Sequence, residues 1–275
     1  VTVAARFLSR RERFDRVGST NDVVRGWLAE GTPEVCLAVA DEQTAGRGRD
    51  GRIWIAPPGA ALLLSVGFRP TWLSPDRVWR LAATVSLAMA EAAERTAALP
   101  EGAVGLKWPN DLVEDAGGQV LKIGGVLGET DGLGTDDPRA VVGIGVNADW
   151  RPASFPPELA AAMTSLRAMS RDEPIDTAAL LEAFVERLGV RIGALRDGAF
   201  DSRGWVDRQV TTGRSIDLVD HHGASRSLMA VGVDPETGAL RVADDAAPGA
   251  ERAVLVGEIR HVRLRSGGPS DGSGL

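Results

Sequence analysis

Lysine is nearly absent from this chain. Of 31 basic residues only Lys107 and Lys122 are lysines; the rest are arginines. Asparagine is almost as scarce, with Asn21, Asn110 and Asn147 alone. A chain that uses arginine for its surface charge keeps lysine for places that need a compact ammonium in place of a planar fork. All five rare residues fall within four short segments of the first 150 residues: 19–21, 107–111, 122–129 and 143–147. There is one cysteine, Cys36, inside the apolar run 35–40. A lone cysteine excludes a disulfide framework and a CxxC metal site, and the residue reads as a small core side chain. The three histidines, His221, His222 and His261, lie far from the four segments, so zinc chemistry and any other protein-held metal are not expected. No apolar run approaches the roughly 18–20 residues of a membrane span, and the basic start has neither an apolar stretch nor a cleavage pattern after it. A cytoplasmic protein with no membrane association is the expectation. A net charge of −7 disfavours general nucleic-acid binding, which rests on Lys and Arg against phosphate.

What is present reads as an α+β chain of 275 residues, enough for one large domain and one small one. Helices are expected at residues 21–30, capped by Ser19 or Thr20, at 74–98, at 157–168 and at 176–193. Strands are expected at 35–40, 61–68, 104–108, 111–114, 120–130 and 140–148, with Ala116-Gly117-Gly118 turning the fourth into the fifth. Beyond about Val210 the pattern changes to five short alternating strands at 214–220, 226–233, 239–243, 252–256 and 258–265, the pattern of a small barrel. Residues 266–275 are Gly/Ser-rich and read as a disordered tail.

Four motifs carry chemistry. The loop from Thr44 to Trp54 interleaves Gly46, Gly48 and Gly51 with Arg47, Arg49 and Arg52. Glycine lets backbone approach a ligand, guanidinium forks match carboxylate and phosphate, Trp54 offers a flat face and Gln43 a neutral donor and acceptor. In Lys107-Trp108-Pro109-Asn110-Asp111 a cation, a ring and two polar side chains meet at a strand end. In Lys122-Ile123-Gly124-Gly125-Val126-Leu127-Gly128-Glu129, alternation puts Lys122 on one face with Gly124 and Val126, and the paired glycines leave room for a ligand; a bulge is the competing reading. Gly143-Ile144-Gly145-Val146-Asn147 lacks the third glycine and the helix of a dinucleotide fingerprint. There is no G-x-x-x-x-G-K-[ST] and no Ser/His/Asp or Cys/His arrangement. The remaining chemistry is electrostatic: positioning and charge neutralisation for two anions, as when a carboxylate attacks the α-phosphate of ATP.

On these residues the chain resembles the biotin–protein ligases. Gly46–Trp54 looks like their G-R-G-R-x-G-R-x-W loop, and Ser19-Thr20-Asn21, Lys107–Asp111, Lys122–Glu129 and Gly143–Asn147 match the other family motifs in order and spacing. The resemblance implies a mixed-sheet catalytic domain of the class II aminoacyl-tRNA synthetase type over residues 1–210, then an SH3-like barrel over 211–265. It implies ATP and Mg²⁺ with biotin as substrate, and a biotin carboxyl carrier protein domain as partner. Biotin contacts are implied for Ser19, Thr20, Asn21, Gln43, Gly46, Arg47, Lys122, Gly125 and Leu127. Nucleotide contacts are implied for Arg49, Arg52, Trp54, Lys107, Asn110 and Asn147. Lys122, Arg47 and Arg49 would stabilise reacting charge, and Asp111 would orient the acceptor lysine. Asp50, at the variable loop position, either pairs with a neighbouring arginine or is solvated. Only 18 residues precede Ser19, too few for the winged helix-turn-helix domain of some family members, so no DNA-binding function of that kind is expected. A lipoate or octanoate ligase, and a non-catalytic biotin or adenylate sensor, are the competing readings.

Overall fold

The computed structural model describes residues 7–244, 247–256 and 261–265. Its centre is a seven-stranded sheet made, in chain order, of β1 (Arg10–Val17), β2 (Cys36–Gln43), β3 (Ala61–Phe68), β4 (Gly105–Lys107), β5 (Asp111–Ala116), β6 (Gln119–Asp131) and β7 (Arg139–Asn147). The order across the sheet is β1-β2-β3-β7-β6-β5-β4, with β1 and β2 parallel and the other pairs antiparallel. The sheet is therefore mixed, as expected. β1 was not expected. Its sequence, RRERFDRV, has no apolar alternation because it forms one edge of the sheet, and charges there discourage pairing with another chain.

Helix α1 (Thr20–Ala29) lies on one face of the sheet, where Val24, Trp27 and Leu28 pack against Cys36, Ala38 and Val141. The opposite face is covered by α2 (Trp79–Thr96). After the short helices α3 (Pro157–Ala160) and α4 (Leu166–Met169), α5 (Thr177–Arg196) packs there too. Leu37, Leu64 and Val66 of the sheet meet Leu81, Val85, Phe184 and Leu188 of these helices in one apolar cluster. A last short helix, α6 (Ser202–Asp207), also unexpected, is capped by Asp201, which accepts from Gly204 N–H.

Three helix expectations are corrected. Ser19 occupies the N-cap of α1 but makes no side-chain cap, and the hydroxyl of Thr20, the other candidate, bonds Gln43. The helix expected from Ser74 starts as a 3₁₀ turn, Pro75–Arg77, and becomes α-helical at Trp79. The helix expected over 157–168 is broken in the middle. Lys122 N–H donates to Ala162 O at 2.8 Å and Thr164 N–H to Lys122 O at 2.9 Å, so this stretch pairs with β6. That backbone pairing outweighs local helix propensity.

The C-terminal strands are β8 (Ser215–Val219), β9 (Ser225–Val233), β10 (Leu240–Asp244), β11 (Ala247–Val254) and β12 (His261–Leu264). They form an antiparallel sheet of order β11-β10-β9-β8-β12. Among the described residues β11 and β12 stand at opposite edges and do not pair, so the sheet is open and the expected barrel is not seen. Leu218, Leu228, Val242 and Val254 join the same apolar cluster as α2 and α5. Trp108 ties the two sheets together: its backbone N–H donates to Thr211 Oγ1 at 3.0 Å and its indole N–H to Gly238 O at 2.9 Å. The expected tail, 266–275, lies outside the described residues. Among the described residues no helix is long and apolar enough to cross a membrane.

Candidate active site

The N-terminus of α1, the ends of β2 and β5, and the middles of β6 and β7 converge on a cavity of about 130 Å³. The 44–54 loop closes over it. Gly46 makes the closure: Trp54 N–H donates to Gly46 O at 2.9 Å, and a Cβ on Gly46 would stand 2.6 Å from Trp54 O. At the loop tip Asp50 takes φ 57°, the left-handed region that asparagine and aspartate tolerate best. Val262 of β12 also lines the cavity, so the C-terminal sheet contributes to its wall.

One end of the cavity is polar and nearly dry. Ser19, Thr20 and Asn21 are 2–4% exposed. Gln43 Oε1 accepts from Thr20 N–H at 2.7 Å and from the Thr20 hydroxyl at 3.0 Å. Beneath them lies Ser65, fully buried on β3, with its Oγ 2.7 Å from Thr20 Oγ1 and 2.6 Å from Asn21 Oδ1. Asn21 Nδ2 donates to Glu129 Oε2 at 2.9 Å. Gly143 is what admits Asn21 to this place, since a Cβ there would overlap Asn21 Oδ1.

The other end is cationic. Lys122 Nζ lies 2.6 Å from Asp111 Oδ1 and 5.6 Å from the centre of the Trp54 ring, and Lys107 Nζ lies 3.8 Å from Asp111 Oδ2. Burial lowers the Lys107 pKa, against the pull of Asp111. Arg49 is lowered by burial as well, and its Nη2 donates to Val256 O at 3.2 Å. Arg52 lines the same end. Arg47 is held differently, in a two-pronged pair with Asp22 at 2.7 and 2.8 Å, with Glu129 3.6 Å away. That pair raises the Arg47 pKa and lowers that of Asp22. Five basic side chains line the cavity against two carboxylates, Asp50 and Asp111, so it attracts anions.

The face assignment on β6 is corrected. Alternation puts Lys122 with Gly124 and Val126, but the register shifts between Leu112 and Val113: Gly124 pairs with Leu112, whereas Lys122 pairs with Val113. Ile123 is the extra residue, and its side chain is buried in the core. Lys122 therefore faces the cavity with Gly125, where a Cβ would come within 3.1 Å of Nζ. Gly125 and Leu127 line the cavity, and so does Asn110, whose Nδ2 donates to Val126 O at 2.7 Å. Gly145 seats Trp54, whose ring atoms would lie 2.7–3.0 Å from a Cβ at that position. The two glycines of the rejected dinucleotide pattern thus admit Asn21 and Trp54 to the sheet.

Asn147 is not brought to the cavity lining. It is fully buried, donates to Thr164 O at 3.0 Å, and its Oδ1 has no hydrogen-bond partner. Sequence reasoning missed Ser65, Asp22 and the role of Glu129. Ser65 and Asp22 belong to no motif, and Glu129 closes one whose glycines and lysine drew the attention. Cys36 is buried, its thiol pushed up to about 11 by desolvation. Among the described residues no group of three His, Cys, Asp or Glu side chains could hold a metal.

Comparison with known proteins follows the same residues. Residues 13–147 match the model of the biotin/lipoate A/B protein ligase family. The chain is 34% identical over 145 residues to the biotin–[acetyl-CoA-carboxylase] ligase of Mycobacterium tuberculosis, covering 52% of this chain and 51% of that one. It is 30% identical over 168 residues to the bifunctional ligase/repressor BirA of Bacillus subtilis, covering 61% and 49%. The matched stretch thus spans about half the length of these relatives. The biotin protein ligase of Aquifex aeolicus, solved in complex with biotin and ATP, aligns with a TM-score of 0.75 over 94% of this chain and 100% of that one, at 23% identity. The fold is shared.

Proposed function

We propose, from the match of residues 13–147 to the biotin/lipoate A/B protein ligase family, that the protein is a biotin–protein ligase. It activates biotin with ATP and transfers it to a lysine of a biotin carboxyl carrier protein domain in a cytoplasmic carboxylase. The observation that carries this reading is one cavity with two unlike ends. A dry, neutral, hydrogen-bonding end at Ser19, Thr20 and Gln43 suits the ureido ring. A cationic end at Lys122, Arg49 and Arg52 suits a carboxylate meeting a phosphate.

In the first half-reaction a biotin carboxylate oxygen attacks the α-phosphorus of ATP and pyrophosphate leaves. Two anions approach, so the barrier is largely electrostatic and fixed cations lower it. Lys122, over the Trp54 ring and beside Asp111, neutralises the carboxyl–phosphate junction. Arg49, Arg52 and Lys107 hold the phosphate side, Trp54 packs on the adenylate, and Asn110 contacts the nucleotide. Asn147, buried outside the cavity lining, takes no nucleotide contact in this reading. Mg²⁺ enters on the phosphates of MgATP, and no step is assigned to a protein-held metal. In the second half-reaction a neutral lysine amine attacks the acyl carbon and AMP leaves. Asp111, released by Lys122, orients that amine. Residues 211–265 form the second unit, and the bulges of β10 at 241/242 and 243/244 support curvature towards an SH3-like barrel.

ATP–pyrophosphate exchange dependent on added biotin tests the proposal, with lipoate and octanoate as controls. Exchange with biotin alone is expected. Exchange with lipoate or octanoate in its place, or none from folded protein with Mg²⁺, would overturn it.

A further inference from the structure

Ser65 and Glu129 do not line the cavity, yet they decide what its polar end offers a ligand. The reasoning starts from Glu129. Its carboxylate accepts from Asn21 Nδ2 at 2.9 Å and from Arg25 Nη2 at 2.6 Å, and Arg47 stands 3.6 Å away. A carboxylate only accepts, so the Asn21 amide is locked with Nδ2 towards Glu129 and Oδ1 towards Ser65. Asn21 Oδ1 also only accepts. The 2.6 Å separation from Ser65 Oγ therefore requires the single Ser65 hydroxyl proton to lie between them.

That proton cannot also serve Thr20, although Thr20 Oγ1 is 2.7 Å away. Thr20 must then spend its own hydroxyl proton inside the protein, on Ser65 Oγ or on Gln43 Oε1. Either way Thr20 Oγ1 presents only a lone pair to the cavity. Gln43 is locked in turn: its Oε1 accepts from Thr20 N–H at 2.7 Å, which leaves Nε2, beside Gly46, as the group it offers. The result is one acceptor next to one donor. It fits a ligand edge carrying N–H beside C=O, and repels an edge made only of donors.

We infer that Ser65 and Glu129 are positioning residues that act through Asn21 to set the hydrogen-bond polarity of the Thr20–Gln43 end, selecting a cyclic urea or amide edge. The inference deepens the biotin reading and, for the identity of the ligand, rests on it. Glu129 also joins this relay to the arginine loop, because the carboxylate that orders Asn21 faces Arg47. Glu129 thereby stands between Asn21 and the loop that closes the cavity, while Asp22 makes the shorter pair with Arg47.

The test compares two ligands on the full chain by calorimetry: biotin, and 2-iminobiotin in its protonated form, whose ring edge carries donors alone. Wild type is expected to prefer biotin strongly. Ser65→Ala frees the Thr20 hydroxyl to turn, and Glu129→Gln frees the Asn21 amide to flip. Each should weaken biotin binding by about tenfold, near the upper end of one hydrogen bond's worth, and narrow the biotin/iminobiotin ratio by a similar factor. Equal weakening of both ligands with the ratio unchanged means ordinary structural damage and overturns the inference. A second readout needs no ligand. The chain has three asparagines, so the Asn21 side-chain NH₂ pair is readily assigned in ¹H–¹⁵N spectra. Its protons should exchange slowly in wild type and faster in Glu129→Gln. If wild type binds no biotin, the proposed function fails. Faster exchange in Glu129→Gln then still upholds the relay, and unchanged exchange overturns it.

Discussion

Replacing Gly143 with alanine puts one methyl group where the cavity has no room for it. The new Cβ would overlap Asn21 Oδ1 and stand 3.0 Å from Asn21 Cγ. The backbone of β7 cannot retreat, because Gly143 is paired with Ser65 of β3 on one side and with Leu127 of β6 on the other. The Asn21 side chain must move instead. It gives up the bond from Ser65 and the charge-assisted bond to Glu129. Glu129 keeps Arg25, so the carboxylate is not stranded. Ser65 and Asn21 are buried, and leaving such groups without partners costs about 1–3 kcal/mol, with about 1 kcal/mol or more of overpacking added. The expected destabilisation is about 2–4 kcal/mol, a fall in Tm on the order of 5–15 °C for a chain of this size. Chemical denaturation measures it directly. Asn21→Ala in the same chain makes room for the methyl, so the double variant should be less destabilised than the sum of the two singles by at least about 1 kcal/mol. A Gly143→Ala protein within about 0.5 kcal/mol of wild type, or strict additivity with Asn21→Ala, would refute the claim that this glycine exists to admit Asn21.

Further outcomes follow from the cationic end and the core. Lys122→Ala should slow biotin-dependent pyrophosphate exchange by about 10²–10³-fold, the loss seen when one preorganised electrostatic contact is removed; an unchanged rate would remove Lys122 from the chemistry. Arg49→Ala should release biotinyl-AMP faster than wild type in a filter-retention assay, because Arg49 anchors the closing loop at Val256 O; equal release rates would end the lid role. The Cys36 thiol, pushed up to about 11 by burial, should stay protonated and unreactive towards a disulfide reagent at pH 8 until the protein unfolds. By linkage, its raised folded-state pKa contributes stability that is complete below the ordinary thiol value of 9.0 and is lost as pH rises towards 11. Reaction of the native thiol at the rate of the unfolded chain would contradict that burial.

The motifs were legible because they are local. A Gly-Arg loop, a Trp-Pro-Asn-Asp turn and two glycine-rich strands announce backbone that must come close to something, and the scarcity of lysine pointed to Lys107 and Lys122 before any fold was known. All but two of the expected contact residues line one cavity. Gly46 instead shapes the loop, and Asn147 braces Thr164. The strands of the central sheet were legible where both faces are apolar, as in β3 and β7. β1 was not, because an edge strand needs no apolar alternation.

Residue types and their spacing alone determined which groups are available: two ammoniums, the arginine forks, the loop glycines and the polar Ser-Thr-Asn step into α1. Chemistry and chain direction require no partner to be read. What only the tertiary structure decided is which way those groups face and what holds them. A single extra residue in β6 turns Lys122 to the cavity beside Gly125, and a period of two cannot register an insertion that the partner strand imposes. The pairing of β6 with the stretch after α3 broke an otherwise helical run. Ser65 and Glu129 gained their importance from neighbours 44 and 108 residues away in the chain. Hydrogen-bond polarity belongs to a closed set of donors and acceptors, and that set exists only after the chain has folded.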